Sequence, residues 1–413
     1  MRLVTGPPAH GGSVVARDEG KVVFVHYALP GEEVEAEPRG RRGGVEFANA
    51  VEVLKPAPGR VDAACPHFGI CGGCQWQHAA YPLQLEMKRR VVEDAWQRAN
   101  LRLPPDTPVL GMDNPWRYRI RGEFEALYGA GGVRFGFHRM RSYSVFPIKT
   151  CPIHDERIER GLFAFQQAVN ELSMPGIKHL LLTTQPDGPG LLWQVRLDGP
   201  PIDTASLGAR VAELLPDVLL LDDSMDFGFW GLQFRVRSDT FVQANHRQMQ
   251  VLYRTALDML AAKSSEAVLD LYAGIGTITL AIARDAASVT AVEENPHAIN
   301  LGRLAARINA IENVRFLPGK VENALHGVRV GEHAAVVMDP PRAGLDGAAI
   351  GELLRLQPDR IVYVSCEPPT QVRDLSLLVR GGYRIRRAAI VDMFPQTYHI
   401  ESVVLLERGS ASW

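Results

Sequence analysis

No run in this 413-residue chain is apolar for long enough to span a bilayer. The opening residues, Met1-Arg2-Leu3-Val4-Thr5-Gly6-Pro7-Pro8, lack the apolar core of a secretory signal. A cytoplasmic location without a membrane partner is the expectation. Cysteine is scarce, at five residues. In a reducing compartment so few thiols point to metal binding or catalysis rather than a disulfide scaffold. Neither sign of charge dominates, since the formal net charge is −2. Overall charge therefore does not indicate a nucleic-acid partner, and only local patches can. With 46% hydrophobic and 22% charged residues the chain is not disordered. Its length suits roughly two to three domains.

The glycine pattern is incomplete in an informative way. Ala267 to Leu271 reads as a buried strand running into Asp270-Leu271-Tyr272-Ala273-Gly274-Ile275-Gly276-Thr277. The third glycine of the dinucleotide fingerprint is missing, because Thr279 stands there, and this disfavours nicotinamide. What remains is a tight strand-to-helix turn that lets a ligand approach the backbone. Ser288 to Val292 is the next strand and leads to Glu293, a carboxylate suited to ribose hydroxyls. Ala334 to Met338 runs into Asp339-Pro340-Pro341-Arg342. Ile361 to Val364 runs into Ser365-Cys366-Glu367-Pro368, where proline ends the strand ladder and leaves Cys366 at a strand-to-loop junction. In an open parallel sheet such junctions form the ligand-binding edge. With a helix over 248–262, residues 239–413 are expected to form a doubly wound α/β domain.

Residues 1–56 read as a small all-β barrel of the OB type, with strands over Lys21–Tyr27, Glu32–Glu37 and Val45–Leu54. Arg39, Arg41 and Arg42 occupy a glycine-rich turn. After the linker Pro56-Ala57-Pro58-Gly59 comes a central α+β segment, 57–238. It opens with Cys65-Pro66-His67-Phe68-Gly69-Ile70-Cys71-Gly72-Gly73-Cys74, and Cys151 is the one other nearby cysteine. Four thiolates suit a tetrahedral zinc or an iron–sulfur cluster, and spacing does not separate the two. A helix over 81–100 has Leu83, Met87, Val91 and Trp96 on one face and Arg and Lys opposite. It is open to packing on the catalytic domain. Trp116 to Phe137 reads as antiparallel strands, with Arg117, Arg119 and Arg121 on one face. Arg134, His138, Arg139 and Arg141 follow. Seven Arg/Lys stand against three Asp/Glu between Gly111 and Thr150. With Tyr118, Phe135 and Phe137 interleaved, this pattern suits phosphate contact and base stacking. His179 and His246 read as structural.

Taken together, the motifs resemble those of the RNA (uracil-5-)-methyltransferases, S-adenosylmethionine (SAM) enzymes that modify tRNA and ribosomal RNA. The likeness runs over nearly the whole chain: the cysteine loop, Phe241-Val242-Gln243-Ala244-Asn245, the glycine loop, Asp-Pro-Pro-Arg, Ser-Cys-Glu-Pro, and Phe394-Pro395-Gln396-Thr397-Tyr398-His399-Ile400-Glu401. It implies a TRAM-type barrel, a central iron–sulfur domain and a Rossmann-like methyltransferase domain. It also implies that Gln243, Tyr272, Thr277, Glu293 and Asp339 face SAM, with Cys366 as nucleophile and Glu401 as base. Cys65, Cys71, Cys74 and Cys151 would hold a [4Fe-4S] cluster. That feature resembles the bacterial 23S rRNA 5-methyluridine enzymes and favours rRNA over tRNA as the partner, with no obligate protein partner implied. Two positions depart from the family pattern: Thr277 stands where Asn is common, and Glu367 where Asn or Asp is.

The chemistry fits the residues. Carbon 5 of uracil is a poor nucleophile, and a thiolate added at carbon 6 enriches carbon 5 in electrons. The carbon 5 proton must then leave to a positioned base, and the base must be out of any stack to meet the thiol. Two other classes compete. An exocyclic amino-methyltransferase would follow the two prolines with an aromatic residue, where this chain has Arg342. A non-catalytic RNA-binding or folding factor would leave Cys366 without a task.

Overall fold

The computed structural model describes residues 1–409. Strands β1 (Arg2–Pro8), β2 (Val14–Asp18), β3 (Lys21–His26), β4 (Glu33–Arg42) and β5 (Val45–Lys55) close a barrel in the order β1-β2-β3-β5-β4. Alternate residues such as Val23, Val25, Val34 and Ala36 point into its core, as the two-residue period of a strand requires.

Helix α1 (Tyr81–Arg98) and strand β6 (Val109–Leu110) come next but serve the last sheet of the chain. Val91, Val92 and Trp96 of α1 share a core with Leu269, Val336 and Tyr363. Strand β6 pairs in parallel with Ile390 and Val391. The expected central segment is therefore not one packing unit, because its first part belongs with the catalytic sheet.

The middle sheet is made of β7 (Arg121–Gly129), β8 (Gly132–His138), β9 (Val145–Pro147), β10 (Ile177–Thr184), β11 (Gly190–Leu197) and β12 (Leu219–Leu221), in the order β12-β11-β10-β7-β8-β9. Helices α2 (Glu156–Glu171) and α3 (Thr204–Leu214) cover it through Leu162, Phe165, Leu207 and Val211. The strand expected from Trp116 begins only at Arg121. Before it, the backbone amides of Arg117, Arg119 and Ile120 bond to Pro152, Ile153 and Ala244 rather than to a strand, and Arg117 has φ 53°. A hairpin of β13 (Ser224–Phe229) and β14 (Leu232–Arg237) then packs into the catalytic core through Phe227, Phe229 and Phe234.

The last sheet contains β15 (Ala267–Leu271), β16 (Ser288–Glu293), β17 (Val314–Pro318), β18 (Ala335–Met338), β19 (Arg360–Ser365), β20 (Tyr383–Val391) and β21 (Glu401–Arg408). The connecting helices are α4 (His246–Leu260), α5 (Thr277–Ala283), α6 (Pro296–Ile308), α7 (Val321–Ala324), α8 (Gly347–Leu356) and α9 (Pro368–Arg380). The order is β17-β16-β15-β18-β19-β21-β20-β6, with β15 to β19 parallel. Helices cover both faces, which is why Ile361 to Val364 is an unbroken buried apolar run. Strand order reverses between β15 and β18, so their carboxyl ends open the crevice where such sheets bind ligands. Strand β21 is antiparallel to β19 as expected, but it is not the sheet edge, because β20 and β6 lie outside it. Among the described residues no helix is long and apolar enough to cross a membrane.

Candidate active site and cysteine cavity

Strands β19 and β21 set the centre of the site. Ser365 is paired with Ser402 at the last rung of their ladder. Cys366 follows that rung on one strand and Glu401 precedes it on the other. Both line a cavity of about 770 Å³ together with Asp339, which follows β18. Gln243, Tyr272, Thr277 and Glu293 line the same cavity.

The electrostatics of this cavity are those of crowded, dehydrated acids. Burial pushes Glu401 well above the carboxylate range, and Asp339 pushes it further, while Arg342 and Lys88 oppose the shift. Burial raises Asp339 to about 7. Asp270 is likewise raised to about 7, mainly by burial, even though it accepts a hydrogen bond from the Thr279 hydroxyl. Burial lifts the Cys366 thiol to about 11, Glu401 and Asp339 add to the rise, and Arg342 pulls it back. Glu367, the departure noted in the sequence, raises the thiol as well but by less than these neighbours. His10 of the barrel meets Glu367 at 2.9 Å, so the barrel reaches the loop that carries the thiol.

The glycine loop is shaped for a nucleoside. Gly274 and Gly276 have φ of 56° and 80°, and space is open beside Gly274 where a Cβ would be. Glu293 accepts the amides of Gly274 at 2.9 Å and Asn295 at 2.8 Å, which holds its carboxylate at the cavity wall with lone pairs to spare.

A second cavity, of about 1010 Å³, contains Cys65, Cys71, Cys74 and Cys151 in its wall, and it shares Arg342 and Phe394 with the first. The cysteine loop lies against the end of β8: Cys71 bridges to Arg139, and Gly72 N–H donates to His138 O. Burial pushes Cys74 and Cys151 up to about 12. Among the described residues no three His, Cys, Asp or Glu side chains gather closely enough to hold one metal ion.

Comparison with known proteins places these features. A tRNA (uracil-5-)-methyltransferase family profile matches residues 220–409, and a TRAM-domain profile matches residues 3–37. A 23S rRNA (uracil(1939)-C(5))-methyltransferase of Dechloromonas aromatica is 34% identical, over 96% of this chain and 97% of its own. An RNA methyltransferase of Halalkalibacterium halodurans is 33% identical over 96% of this chain and 94% of its own. The chain belongs to the RNA uracil-5-methyltransferase family. The crystal structure of a Pyrococcus abyssi tRNA (uracil-54, C5)-methyltransferase shares the fold, with a TM-score of 0.76 at 21% identity over 98% of this chain and 100% of that one. As a member of this family the protein is a SAM-dependent RNA uracil-5-methyltransferase.

In this methyltransferase the expected arginine face is not a face. Arg117 is half-buried and donates to Glu159 at 3.1 Å and to the carbonyls of Cys151 and His154. Arg121 donates to Thr240 O at 2.5 Å and Ser238 O at 2.7 Å. Both guanidinium groups are engaged with the protein's own backbone carbonyls. Arg119 and Arg139 do line the cysteine cavity, and Arg134 is exposed on β8. Three functional candidates escaped the sequence. Arg342 lines both cavities and approaches His399 Nδ1 at 3.3 Å. Phe241 is 77% exposed at the rim of the first cavity. Lys88, which the helical pattern assigns to the solvent face, is fully buried beside Asp392.

Proposed function

We propose that this methyltransferase acts on a uridine of 23S rRNA, with Cys366 as nucleophile and Glu401 as base. The observation that carries this reading is the meeting of a strand-end thiol and a buried carboxylate across β19 and β21, in the cavity that also holds the nucleoside-shaped loop. The rRNA assignment draws on the relatives that bear that name and match over nearly the whole chain.

Cys366, as thiolate, adds to carbon 6 of the flipped-out uracil, and the π electrons of the ring shift toward carbon 5 and the carbonyl oxygen. Arg342 draws the thiol toward that form. Gln243, Tyr272, Thr277, Glu293 and Asp339 would hold SAM, whose sulfonium would give its methyl to the electron-rich carbon 5 and leave as the neutral thioether, S-adenosylhomocysteine. Glu401 then takes the carbon 5 proton. The electrons of that C–H bond rebuild the C5–C6 double bond, and the Cys366 sulfur departs as thiolate.

The four-cysteine wall suits a [4Fe-4S] cluster better than zinc. A four-iron cluster takes one thiolate per iron and keeps its ligands apart, whereas one zinc ion needs all four within bonding reach. Cys65, Cys71, Cys74 and Cys151 would hold such a group as thiolates, the form in which sulfur binds iron. A barrel at 1–56, a cysteine-bearing middle at 57–238 that lends α1 and β6 to its neighbour, and a methyltransferase unit at 239–413 form the functional division. Mass mapping of 5-methyluridine in rRNA and tRNA from a strain lacking the gene tests the substrate. Loss of one 23S rRNA modification is expected; loss confined to tRNA would refute the rRNA assignment.

A further inference from the structure

Helix α1 carries a polar stripe on its inward face. Tyr81, Gln84 and Lys88 all reach the loop 392–400, which leads from β20 to Glu401. Tyr81 Oη donates to Asp392 Oδ2 at 2.9 Å. Gln84 and Gln396 exchange two hydrogen bonds, at 2.9 and 2.8 Å. Lys88 Nζ donates to Asp392 Oδ1 at 2.5 Å and to Phe394 O at 3.0 Å. Lys88 and Asp392 side chains are both 0% exposed. A buried ion pair is weak as a source of stability, because a well-packed apolar pair often serves as well. Its presence here needs a local reason.

That reason lies beside it. Glu401 feels Asp339 and Arg342 from the loop after β18, Cys366 from the end of β19, Tyr253 from α4 and Lys88 from α1. Two of these groups are acids or become anionic when they react, and only Arg342 and Lys88 carry a fixed positive charge. Arg342 opposes the rise of Glu401 more than Lys88 does and draws on the thiol as well. Burial and Asp339 raise the proton affinity of Glu401.

We propose that Lys88 is a positioning residue for proton removal, its buried side chain fixing, through Asp392 and the Phe394 carbonyl, the loop that carries Glu401 to the thiol. The inference rests on the reading of Glu401 as the base. The lysine touches neither RNA nor SAM. It acts on one step, the transfer of the carbon 5 proton to Glu401 with expulsion of the Cys366 thiolate, and leaves addition and methyl transfer untouched.

The test compares wild type, Glu401→Gln, Lys88→Met and the double variant Lys88→Met/Asp392→Asn in single turnover with uridine RNA and SAM. The covalent protein–RNA adduct is quenched in denaturant and followed over time. The double variant guards against misfolding, since it leaves no lone buried charge and its Asn can still accept from Tyr81. Methyl transfer is expected to be unchanged. Adduct decay should slow about tenfold in both Lys88 variants, because the carboxylate is no longer held against the carbon 5 proton. Decay at the wild-type rate, or slowing shared equally by methyl transfer, overturns the inference while leaving Glu401 as base. Failure of Glu401→Gln itself to hold an adduct overturns the reading beneath it, and this inference with it.

Discussion

Cys366 and Glu401 stand at the open ends of two antiparallel neighbours, one residue past the Ser365–Ser402 pair. This relationship places a nucleophile and a base from opposite chain directions at one crevice. Burial raises the proton affinity of both, and Glu401 raises that of the thiol further. The charge balance must change before chemistry begins, and Arg342 is placed to change it.

The thiol can be titrated directly. With Cys366 at about 11, alkylation by iodoacetamide should be slow at neutral pH and accelerate steadily toward pH 11. Glu401→Gln removes an anion, lowers the thiol, and should move the alkylation profile to lower pH. Arg342→Met removes the cation and should move it higher. Mass spectrometry of the Cys366 peptide at a series of pH values reads both. Equal profiles in the three proteins would separate the thiol from its supposed neighbours.

The arginines divide into two groups. Arg134 and Arg139, exposed on and just after β8, should weaken RNA binding when changed to Gln, each reducing the slope of log affinity against log salt by about one. Arg117→Gln and Arg121→Gln should lower the melting temperature and leave the salt slope unchanged, since their donors are spent on Glu159 and on the carbonyls of Thr240 and Ser238. Filter binding at several salt concentrations beside thermal melts distinguishes the two.

The cysteine wall predicts colour. Protein purified without oxygen should be brown and contain iron and sulfide, and Cys74→Ser should lose both together with some thermal stability. SAM affinity should persist, because the cysteine cavity meets the catalytic one only at Arg342 and Phe394. Colourless protein with one zinc per chain would contradict the cluster.

Much of this was legible in the sequence where the signal is local. Parallel strands covered on both faces spell unbroken apolar runs, and each ends in a motif that cannot continue a strand, so β15, β16, β18 and β19 and the residues after them could be read directly. The barrel showed itself through short alternating strands. What failed depended on distant partners. Arg117, Arg119 and Arg121 alternate like a strand, but their backbone partners come from residues 152, 153 and 244. Lys88 looks like one more solvated base on an amphipathic helix, and its acid lies 304 positions away. Strand β6 precedes the middle sheet in the chain and pairs with β20 of the last one, a choice that only tertiary contacts make, whereas the sequence leaves open the packing of α1 on the catalytic sheet.

The most direct test of the account is a denaturing gel of Cys366→Ala, Glu401→Gln and the double variant, each incubated with SAM and uridine RNA. Without the thiol, carbon 5 is never activated, so Cys366→Ala should give neither adduct nor methylated product. Loss of a general base typically slows its step by about 10²–10⁴. Glu401→Gln should therefore accumulate a methyl-bearing protein–RNA adduct that survives denaturation and disappears in the double variant. Full methylation by Cys366→Ala, or an inactive Glu401→Gln that never forms an adduct, would contradict it.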